Sequence, residues 1–437
     1  MGKSYQNSQQ KADMNLVFNG VKNAGVLDYV CAWYLKASQF IQNTNICCAF
    51  VSTNSISQGE QVGILWQELY TKYKIKIHFA HRTFSWSNEA KGNAAVHCVI
   101  IGFGLENVDR KRLFTYENIK GEATEINVKN INPYLVEGND LIILKRSKAI
   151  THVPTIKFGN QPIDGGNFII ETTEELNKFL LEKNSYKFIR RYMGSYEFIN
   201  NINRWCLWLN NITPDELRQN KKIYERVEKV REFRLKSTRK ETRDLALTPT
   251  KFAFISHTET DYIIIPSVSS ENRKYIPIGF ISKEIITSNL CLIIPDADLF
   301  LFGILTSEMH MTWVKYVCGR LKSDYRYSNS IVYNNYPFPE DMTEKQREKV
   351  ANLAQKILDI RNNYPDSSLA DLYDRLTMPN DLIKAHQNLD KAVDLCYRNQ
   401  TFTSELNRIE FLFNLYQNMT APLLKTEKKK ASPSTKK

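Results

Sequence analysis

Three residues in one polar stretch carry side chains suited to holding a flat ligand. Arg82, Phe84 and Trp86 lie between two runs of strand-forming residues, 75–79 and 96–103, in a segment rich in Ser, Asn, Gly and Lys. A loop between two strands has no core of its own to fill, so two large aromatic side chains there need an explanation. Either they cover an edge of the core, or they stack on a flat ligand at the rim of the sheet.

The charge of the chain indicates a polyanionic partner. Its 437 residues carry a net charge of +12, which favours nucleic acid first and an anionic membrane second. A charged helix predicted over 224–240 ends in a dense basic run that can clamp phosphates, and such contacts position a protein without reading sequence. The cations of this run are Arg231, Arg234, Lys236, Arg239 and Lys240. The alternative is a solvated surface helix, since Glu and Arg are intermixed along it.

A second basic segment, 320–326, combines residue types that can read a base pair. Lys322 and Asp324 lie two residues apart, so an extended backbone would project both side chains on the same side. A lysine donates to the O6 and N7 acceptors of guanine, and an aspartate accepts from the N4 amine of cytosine. Arg320 and Arg326 would then contact the DNA backbone. The alternative is a local ion pair on a surface turn.

Further candidates for chemistry are few. Glu271 and Arg273 form a similar but weaker pair for reading a base pair. The eight cysteines include no CxxC and no Cys/His cluster at metal-ligand spacing, so we predict no metal site. They are typical of reduced thiols in a cytoplasmic protein.

We find no PD-(D/E)xK arrangement of a nuclease, and no apolar run near the roughly 18 residues that span a bilayer.

The elements that must position Phe84 and Trp86 are those of an α/β sheet. Apolar residues at three- and four-residue spacing predict a helix over 25–41, and a second helix follows over 58–73. Buried strands are predicted at 45–51 and 96–103. This order is that of the second half of an open α/β sheet, and its last two strands, joined without a helix, should be antiparallel. No glycine-rich GxGxxG turn for a nucleotide precedes them.

Composition and spacing divide the chain into four parts and a tail. The parts are an α/β domain at 1–110, a connector at 111–154, an α+β domain at 155–336, a small helical domain at 337–420 and a disordered basic tail at 421–437. Further predicted elements are short strands at 141–144, 262–266 and 290–294, and helices at 343–362, 381–397 and 404–419.

Several motifs resemble those of a known enzyme family. They are Asp28-Tyr29-Val30, Phe50-Val51-Ser52-Thr53-Asn54-Ser55, the aromatic loop before Val96-His97-Cys98-Val99-Ile100, Met193-Gly194-Ser195-Tyr196-Glu197-Phe198-Ile199, Arg204-Trp205-Cys206-Leu207-Trp208-Leu209, and Gly319-Arg320-Leu321-Lys322-Ser323-Asp324-Tyr325-Arg326-Tyr327-Ser328. They resemble amino-type DNA methyltransferases in which the target-recognition domain follows the catalytic domain. The long single-chain type II restriction–modification enzymes that methylate adenine on its exocyclic amine are the most similar group. The resemblance covers nearly the whole chain up to about Met419.

The resemblance carries implications for fold and activity. It implies that 1–110 is the second half of a class I methyltransferase sheet, that 155–336 is the target-recognition domain and that S-adenosylmethionine is the methyl donor. Double-stranded DNA would be the partner, with a flipped adenine stacked on Phe84 or Trp86 and with Arg82 as a DNA contact. A non-catalytic DNA-binding specificity module is the alternative.

The same resemblance implies that part of the active site lies elsewhere. In the family, the cofactor-binding motif and the Asn-Pro-Pro-aromatic catalytic loop precede every motif seen here. We therefore expect the cofactor site to lie mostly outside this chain. The chain would be a C-terminal portion that acts with an upstream half, either as one part of a split gene or as a truncated gene product.

Overall fold

The structure is a computed structural model that describes residues 2–86 and 96–430. Its α-helices are α1 (Ser8–Val17), α2 (Cys31–Phe40), α3 (Gly59–Gln61), α4 (Gln67–Thr71), α5 (Thr173–Leu180), α6 (Ser195–Asn200), α7 (Pro214–Gln219), α8 (Lys221–Leu235), α9 (Lys240–Asp244), α10 (Leu299–Leu305), α11 (Glu308–Val317), α12 (Glu344–Asn362), α13 (Leu369–Leu372), α14 (Asn380–Tyr397) and α15 (Glu405–Lys430). Its strands are β1 (Cys48–Thr53), β2 (Lys76–Trp86), β3 (Val96–Gly104), β4 (Lys111–Tyr116), β5 (Ala123–Val128), β6 (Lys157–Phe158), β7 (Ile169–Ile170), β8 (Ile189–Met193), β9 (Trp205–Leu207), β10 (Tyr262–Pro266), β11 (Val268–Ser269), β12 (Gly279–Ile281), β13 (Ile286–Thr287), β14 (Cys291–Pro295), β15 (Gly319–Leu321) and β16 (Asp324–Arg326).

The chain divides into two compact units. The first unit comprises Met1–His152, Thr312–Glu340 and Gln400–Lys437, and the second comprises Val153–Met311 and Asp341–Asn399. These units group the C-terminal helices differently from the sequence-based domains. α12 and α14 belong to the second unit, whereas α15 belongs to the first.

The first unit is built on one five-stranded sheet with the order β1-β3-β2-β4-β5. β3 pairs antiparallel with both β1 and β2, so the antiparallel pairing predicted for the last two strands is confirmed. β2 also pairs in parallel with β4, and β5 returns antiparallel to β4. The predicted connector at 111–154 is therefore wrong for residues 111–128, because β4 and β5 extend the same sheet. The predicted strand at 141–144 is also wrong, since these residues form no ladder.

Aromatic side chains join α2 to the sheet. The ring of Tyr34 on α2 lies 5.1 Å from that of Phe50 on β1 and 5.7 Å from that of Phe103 on β3. The hydroxyl groups of Tyr34 and Ser52 are 3.1 Å apart and form a buried hydrogen bond. Trp66, which lies in a π-helical turn between α3 and α4, is fully buried and also contacts Tyr34. Tyr34, one of the apolar residues whose spacing predicted this helix, thus faces the sheet.

The helix predicted from residue 25 begins later than its apolar pattern. α2 starts at Cys31, and only a short 3-10 turn precedes it at Ala24–Val26. The polar atoms of Asp28 are bonded elsewhere in the unit. Its N–H donates to Gln61 Oε1, and its carboxylate accepts from the hydroxyl of Ser55 at 2.7 Å. These hydrogen bonds to Ser55 and Gln61 hold Asp28 in a non-helical position before the start of α2.

The second unit contains two four-stranded sheets and a group of helices. The sheets have the orders β12-β10-β14-β6 and β13-β8-β9-β7. The strands predicted at 262–266 and 290–294 correspond to β10 and β14. α10 packs on α12, which packs on α14, and the apolar side chains of α10 are buried. Asp298 caps α10, and Thr343 forms a capping box with Gln346 at the start of α12.

The last helix extends beyond its predicted end. α15 runs from Glu405 to Lys430, so residues 421–430 of the predicted disordered tail are helical. Residues 431–437 of that tail lie outside the described residues. Ile409 and Leu412, three residues apart on this helix, are fully buried. Within 2–86 and 96–430, no helix combines the length and the apolar character needed to cross a membrane.

Candidate nucleic-acid interface

Phe84 and Trp86 lie on a strand, so the predicted loop location is wrong for both. β2 continues to Trp86 because its backbone pairs with β3, with Phe84 opposite Cys98 and Trp86 opposite Val96. The predicted loop around residues 87–95 lies outside the described residues. The two aromatic side chains therefore occupy the end of a hairpin strand, where the sheet supports their backbone.

The two rings differ in how much surface they present. Phe84 is half-buried, with its ring stacked on that of Tyr116 at 5.4 Å and near that of His81 at 6.3 Å. Trp86 is 48% exposed, and its ring centroid is 6.2 Å from that of Phe84. Trp86 is thus the more exposed ring of the two, at the end of the aromatic row.

Sequence reasoning missed the residues that support Phe84. The ring of His81 stacks on that of Phe114 at 4.1 Å, and His81 Nδ1 is 2.8 Å from Tyr116 Oη. Burial, and then the positive charge of Arg112, lower the pKa of His81. The alternation of Leu113, Phe114, Thr115 and Tyr116 was the available signal for a strand at this place.

Arg82 is half-buried and engaged within the protein, and its role as a DNA contact stays a prediction. The register between β2 and β3 shifts between His81 and Phe84, which places Arg82 in an irregularity of the strand. Bulges of this kind redirect side chains. The guanidinium of Arg82 donates a hydrogen bond to the hydroxyl of Tyr316 and lies 4.9 Å from the centroid of its ring.

Lys322 and Asp324 lie at the tip of a β-hairpin. β15 and β16 pair antiparallel, with Leu321 opposite Asp324, and Lys322 and Ser323 form the two-residue turn between them. Lys322 has a φ of 57°, so the backbone here is not extended and the predicted same-side projection is wrong. Lys322 is exposed and Asp324 is half-buried. We call residues 319–326 the tip hairpin.

The two arginines of the tip hairpin have different environments. Arg320 points into the hairpin: its guanidinium donates to Ser323 O at 2.9 Å and lies 3.9 Å from the ring centroid of buried Tyr325. The guanidinium thus helps to hold the hairpin together, and contact of half-buried Arg320 with the DNA backbone stays a prediction. Arg326 is exposed.

Glu271 and Arg273 lie in a tight turn of the second unit, directly after β11. The Arg273 N–H donates to Ser270 O at 3.2 Å, and the Asn272 N–H donates to Ser270 Oγ at 3.3 Å. Both Glu271 and Arg273 are half-buried.

Arg234 is wrongly predicted as a phosphate clamp. It is fully buried, and its guanidinium donates to five backbone carbonyl oxygens at 2.7–3.1 Å. The acceptors are Pro162, Ile163, Leu245, Thr248 and Lys251. Burial lowers the pKa of Arg234, and the nearby Asp164 carboxylate opposes that change. Arg234 therefore crosslinks two backbone segments inside the second unit.

The remaining cations of the basic run are exposed. α8 ends at Leu235, so Lys236, Arg239 and Lys240 lie beyond it rather than on one continuous helix. Lys236 lies 3.9 Å from Glu232, and Arg231 lies 3.8 Å from Glu228. Such exposed pairs contribute little to stability, which leaves these cations available to phosphates.

Comparison with known proteins finds one family over almost the whole chain. Its three family models are described as the DNA-methyltransferase domain of MmeI, matching residues 1–115, the target recognition domain of MmeI, matching 137–340, and the C-terminal domain of MmeI, matching 342–424. The chain is 45% identical over 424 residues to DNA methyltransferase A of Bacillus subtilis (strain 168), covering 96% of this chain and 47% of the relative.

A solved structure agrees with this comparison. The type IIL restriction–modification enzyme MmeI, solved in complex with DNA, superposes with a TM-score of 0.88 at 53% identity. The match covers 96% of this chain and 56% of that one. The chain thus spans about half the length of the relatives it matches, and in MmeI the matched part and the rest lie in one chain. The expectation of an upstream half as a separate chain gains no support from that arrangement.

Proposed function

The chain belongs to the MmeI family of DNA methyltransferases, and from that premise we propose that it serves site-specific methylation of adenine N6 in double-stranded DNA. The reaction would use base flipping and S-adenosylmethionine as methyl donor, within a restriction–modification system. The observation that carries the proposal is the half-exposed Trp86 at the end of β2, in the part of the chain that matches the methyltransferase domain.

Trp86 is the residue that we propose receives the flipped base. Methylating a base inside a duplex requires its extrusion, which costs a few kcal/mol in stacking and pairing. An aromatic ring recovers roughly 1–3 kcal/mol of that cost per base. Trp86 offers its ring to solvent, and Phe84 supports it from behind, since Phe84 is itself held by Tyr116. Phe84 thus positions the stacking ring.

The described residues fit the methyl donor only in part. Ligands of open α/β sheets bind beyond the carboxyl ends of the strands, and the polar groups at that end of β1 are already bonded to one another. Ser55 donates to Asp28, and the Asn54 amide lies 3.4 Å from Thr83 Oγ1. Among the described residues, no glycine-rich turn follows a strand. We therefore assign most of the cofactor site to segments outside this chain, and we derive no catalytic step through it.

The outer edge of the sheet supports this assignment. β1 is the outermost strand of the described sheet, and Val51 on it is 49% exposed. Residues 45–57 contain no charged side chain, although sheet edges are normally protected by charge. This edge favours a further strand beside β1, as the second half of a class I methyltransferase sheet would require.

Recognition of DNA is proposed for exposed and half-buried groups of the described residues. Lys322 and Asp324 at the tip of the hairpin would read one G·C pair, and Glu271 and Arg273 would read another. Phosphate contacts would fix the register without reading sequence. We assign them to Arg326, Lys236, Arg239 and Lys240, whose side chains are exposed.

Exchanging Lys322 and Asp324 tests the reading role of the tip hairpin. We expect Lys322→Asp combined with Asp324→Lys to lower the preference at one base pair about tenfold, since a donor and an acceptor trade places. Selection of sites from random-sequence duplexes, with and without the exchange, measures this preference. The matched control is Lys236→Asp, which should weaken binding to all sequences alike. A selected site that keeps every preferred base after the exchange would leave Lys322 and Asp324 as a surface pair.

The proposed reaction is tested by the modified nucleoside. DNA treated with the methyltransferase that contains this chain, and with methyl-labelled S-adenosylmethionine, should yield labelled N6-methyladenine on digestion and mass spectrometry. Label in N4-methylcytosine or 5-methylcytosine would refute the adenine assignment. DNA carrying no label at all would refute methyl transfer.

The non-catalytic specificity module is the second candidate, and the absence of a glycine-rich turn after any described strand favours it. We expect the purified chain alone to bind DNA but to release no heat on titration with S-adenosylmethionine, because most of the cofactor site lies elsewhere. Isothermal titration calorimetry measures this binding directly. Methyl transfer to DNA by the chain alone would refute the incomplete site and the module together.

A further inference from the structure

Arg82 joins the strand that carries Trp86 to a helix far along the chain. Arg82 lies four residues before Trp86, in the irregular part of β2. Its guanidinium donates to the hydroxyl of Tyr316, 234 residues away, and packs over the same ring. Tyr316 is 8% exposed, so this contact is formed within the interior of the first unit.

Tyr316 lies directly before the tip hairpin. It belongs to the last turn of α11, and one residue, Cys318, separates that helix from β15. The hairpin is bonded back to this junction by Arg320, which donates to Lys315 O at 3.4 Å, and by Cys318 Sγ, which donates to Arg326 O at 2.9 Å. The hairpin and the end of α11 are thus joined by these hydrogen bonds as well as by the chain itself.

A second contact joins the tip hairpin to the sheet domain. Gly59, at the start of α3, approaches Gly319, at the start of the hairpin, so closely that a Cβ on Gly59 would lie 2.8 Å from Gly319 Cα. Gly59 has a φ of 60°, which disfavours other residues. Two backbones in direct contact allow little independent movement.

Charged groups around Arg82 balance it within the protein. Burial, and then Glu137, raise the pKa of the Glu410 carboxyl, while the positive charge of Arg82 opposes that rise. Glu405 on the same helix forms an ion pair with Lys315, next to Tyr316. α15 thus supplies one carboxyl group near Arg82 and another that pairs with Lys315.

We propose that Arg82 and Tyr316 are positioning residues that couple sequence reading by the tip hairpin to presentation of Trp86 on β2. A hairpin seated on its correct base pair would hold Tyr316, and through Arg82 the irregular part of β2, in the arrangement that receives the flipped base. A hairpin displaced by a wrong base pair would shift that arrangement. The inference rests on the proposed function.

The test compares base flipping on correct and incorrect sites. Duplexes are first selected from a random pool with the unaltered protein, and 2-aminopurine then replaces the target adenine. The measured quantity is the ratio of fluorescence gain between the selected duplex and one with the hairpin-read base pair replaced. Tyr316→Phe, which removes only the acceptor oxygen, should lower this ratio about 2- to 30-fold. Arg82→Met should do the same, and the double variant should add nothing further.

The controls separate coupling from other roles of the two residues. Tyr134→Phe removes another buried hydroxyl of the same unit, which accepts from the Ile143 N–H at 3.1 Å, and should leave the ratio unchanged. If Arg82 instead contacts a phosphate, Arg82→Met alone would weaken DNA binding. It would also lower the slope of the logarithm of the binding constant against the logarithm of salt concentration by about one. Tyr316→Phe would change neither quantity.

Two outcomes overturn different claims. A fluorescence gain whose ratio is unaffected by Tyr316→Phe would overturn the coupling and leave base flipping intact. No gain with the unaltered protein on any selected duplex would overturn base flipping, and the coupling with it.

Discussion

Trp86→Ala is expected to lower methyl transfer by roughly 5- to 150-fold in the methyltransferase that contains this chain. Stacking on an aromatic ring stabilises an extruded base by about 1–3 kcal/mol, and each 1.4 kcal/mol corresponds to about tenfold. Trp86 is the ring at the end of β2 with an open face. Single-turnover methylation measures the effect, and 2-aminopurine at the target position reports extrusion. Trp86→Phe should retain most of the activity because it keeps a ring.

Two further variants identify the source of the effect. Trp33→Ala removes a tryptophan that is 57% exposed on α2 of the same unit, and it should leave both signals unchanged. Phe84→Ala should produce a smaller loss than Trp86→Ala, since Phe84 acts by supporting the outer ring. Unaltered 2-aminopurine fluorescence in both Trp86→Ala and Phe84→Ala would show that neither ring stacks on the base.

Arg234→Met is expected to lower the free energy of unfolding of the second unit by about 3–5 kcal/mol. Methionine fills a similar volume but donates no hydrogen bond, so five carbonyl oxygens lose the guanidinium as donor. Those of Pro162, Leu245 and Thr248 still accept from backbone N–H groups, so the loss falls mainly on those of Ile163 and Lys251. Each buried polar group left without a partner costs roughly 1–3 kcal/mol. The loss of a buried hydrogen-bond network is one of the few mechanisms by which a single substitution destabilises a protein this much. Urea unfolding followed by circular dichroism measures the loss.

Arg231→Met is the matched control on the same helix. Arg231 lies one turn earlier on α8, is exposed, and makes only a surface contact of 3.8 Å with Glu228. Its replacement should change stability by less than about 0.5 kcal/mol. A stable Arg234→Met variant with weakened DNA binding would restore the phosphate clamp that the sequence predicted.

The comparison of these two arginines shows where sequence reasoning stops. Both belong to one charged run, and residue type alone ranks them equally as phosphate contacts. Arg234 follows Val227 and Val230 on the buried face of α8, so its position on that face was the available signal. That its charge is accepted there depends on carbonyl groups from residues 162–163 and 245–251, which no local pattern places nearby.

Local patterns of the sequence determined the sheet domain and its motifs. The long apolar run of β3, the antiparallel return from β2 and the capped helix after Thr343 follow from side-chain periodicity and capping, which act over a few residues. The composition likewise indicated a nucleic-acid partner through its net charge of +12.

Only the tertiary structure decided which candidate side chains are available to DNA. Whether β2 ends at residue 79 or continues to Trp86 depends on pairing with β3, and the direction of Arg82 depends on Tyr316, 234 residues away. The hairpin that places Lys322 at its tip is likewise held by backbone contact with Gly59. Contacts with residues distant in sequence determine how far a side chain is buried and where it points. Its neighbours in the sequence determine only its local conformation.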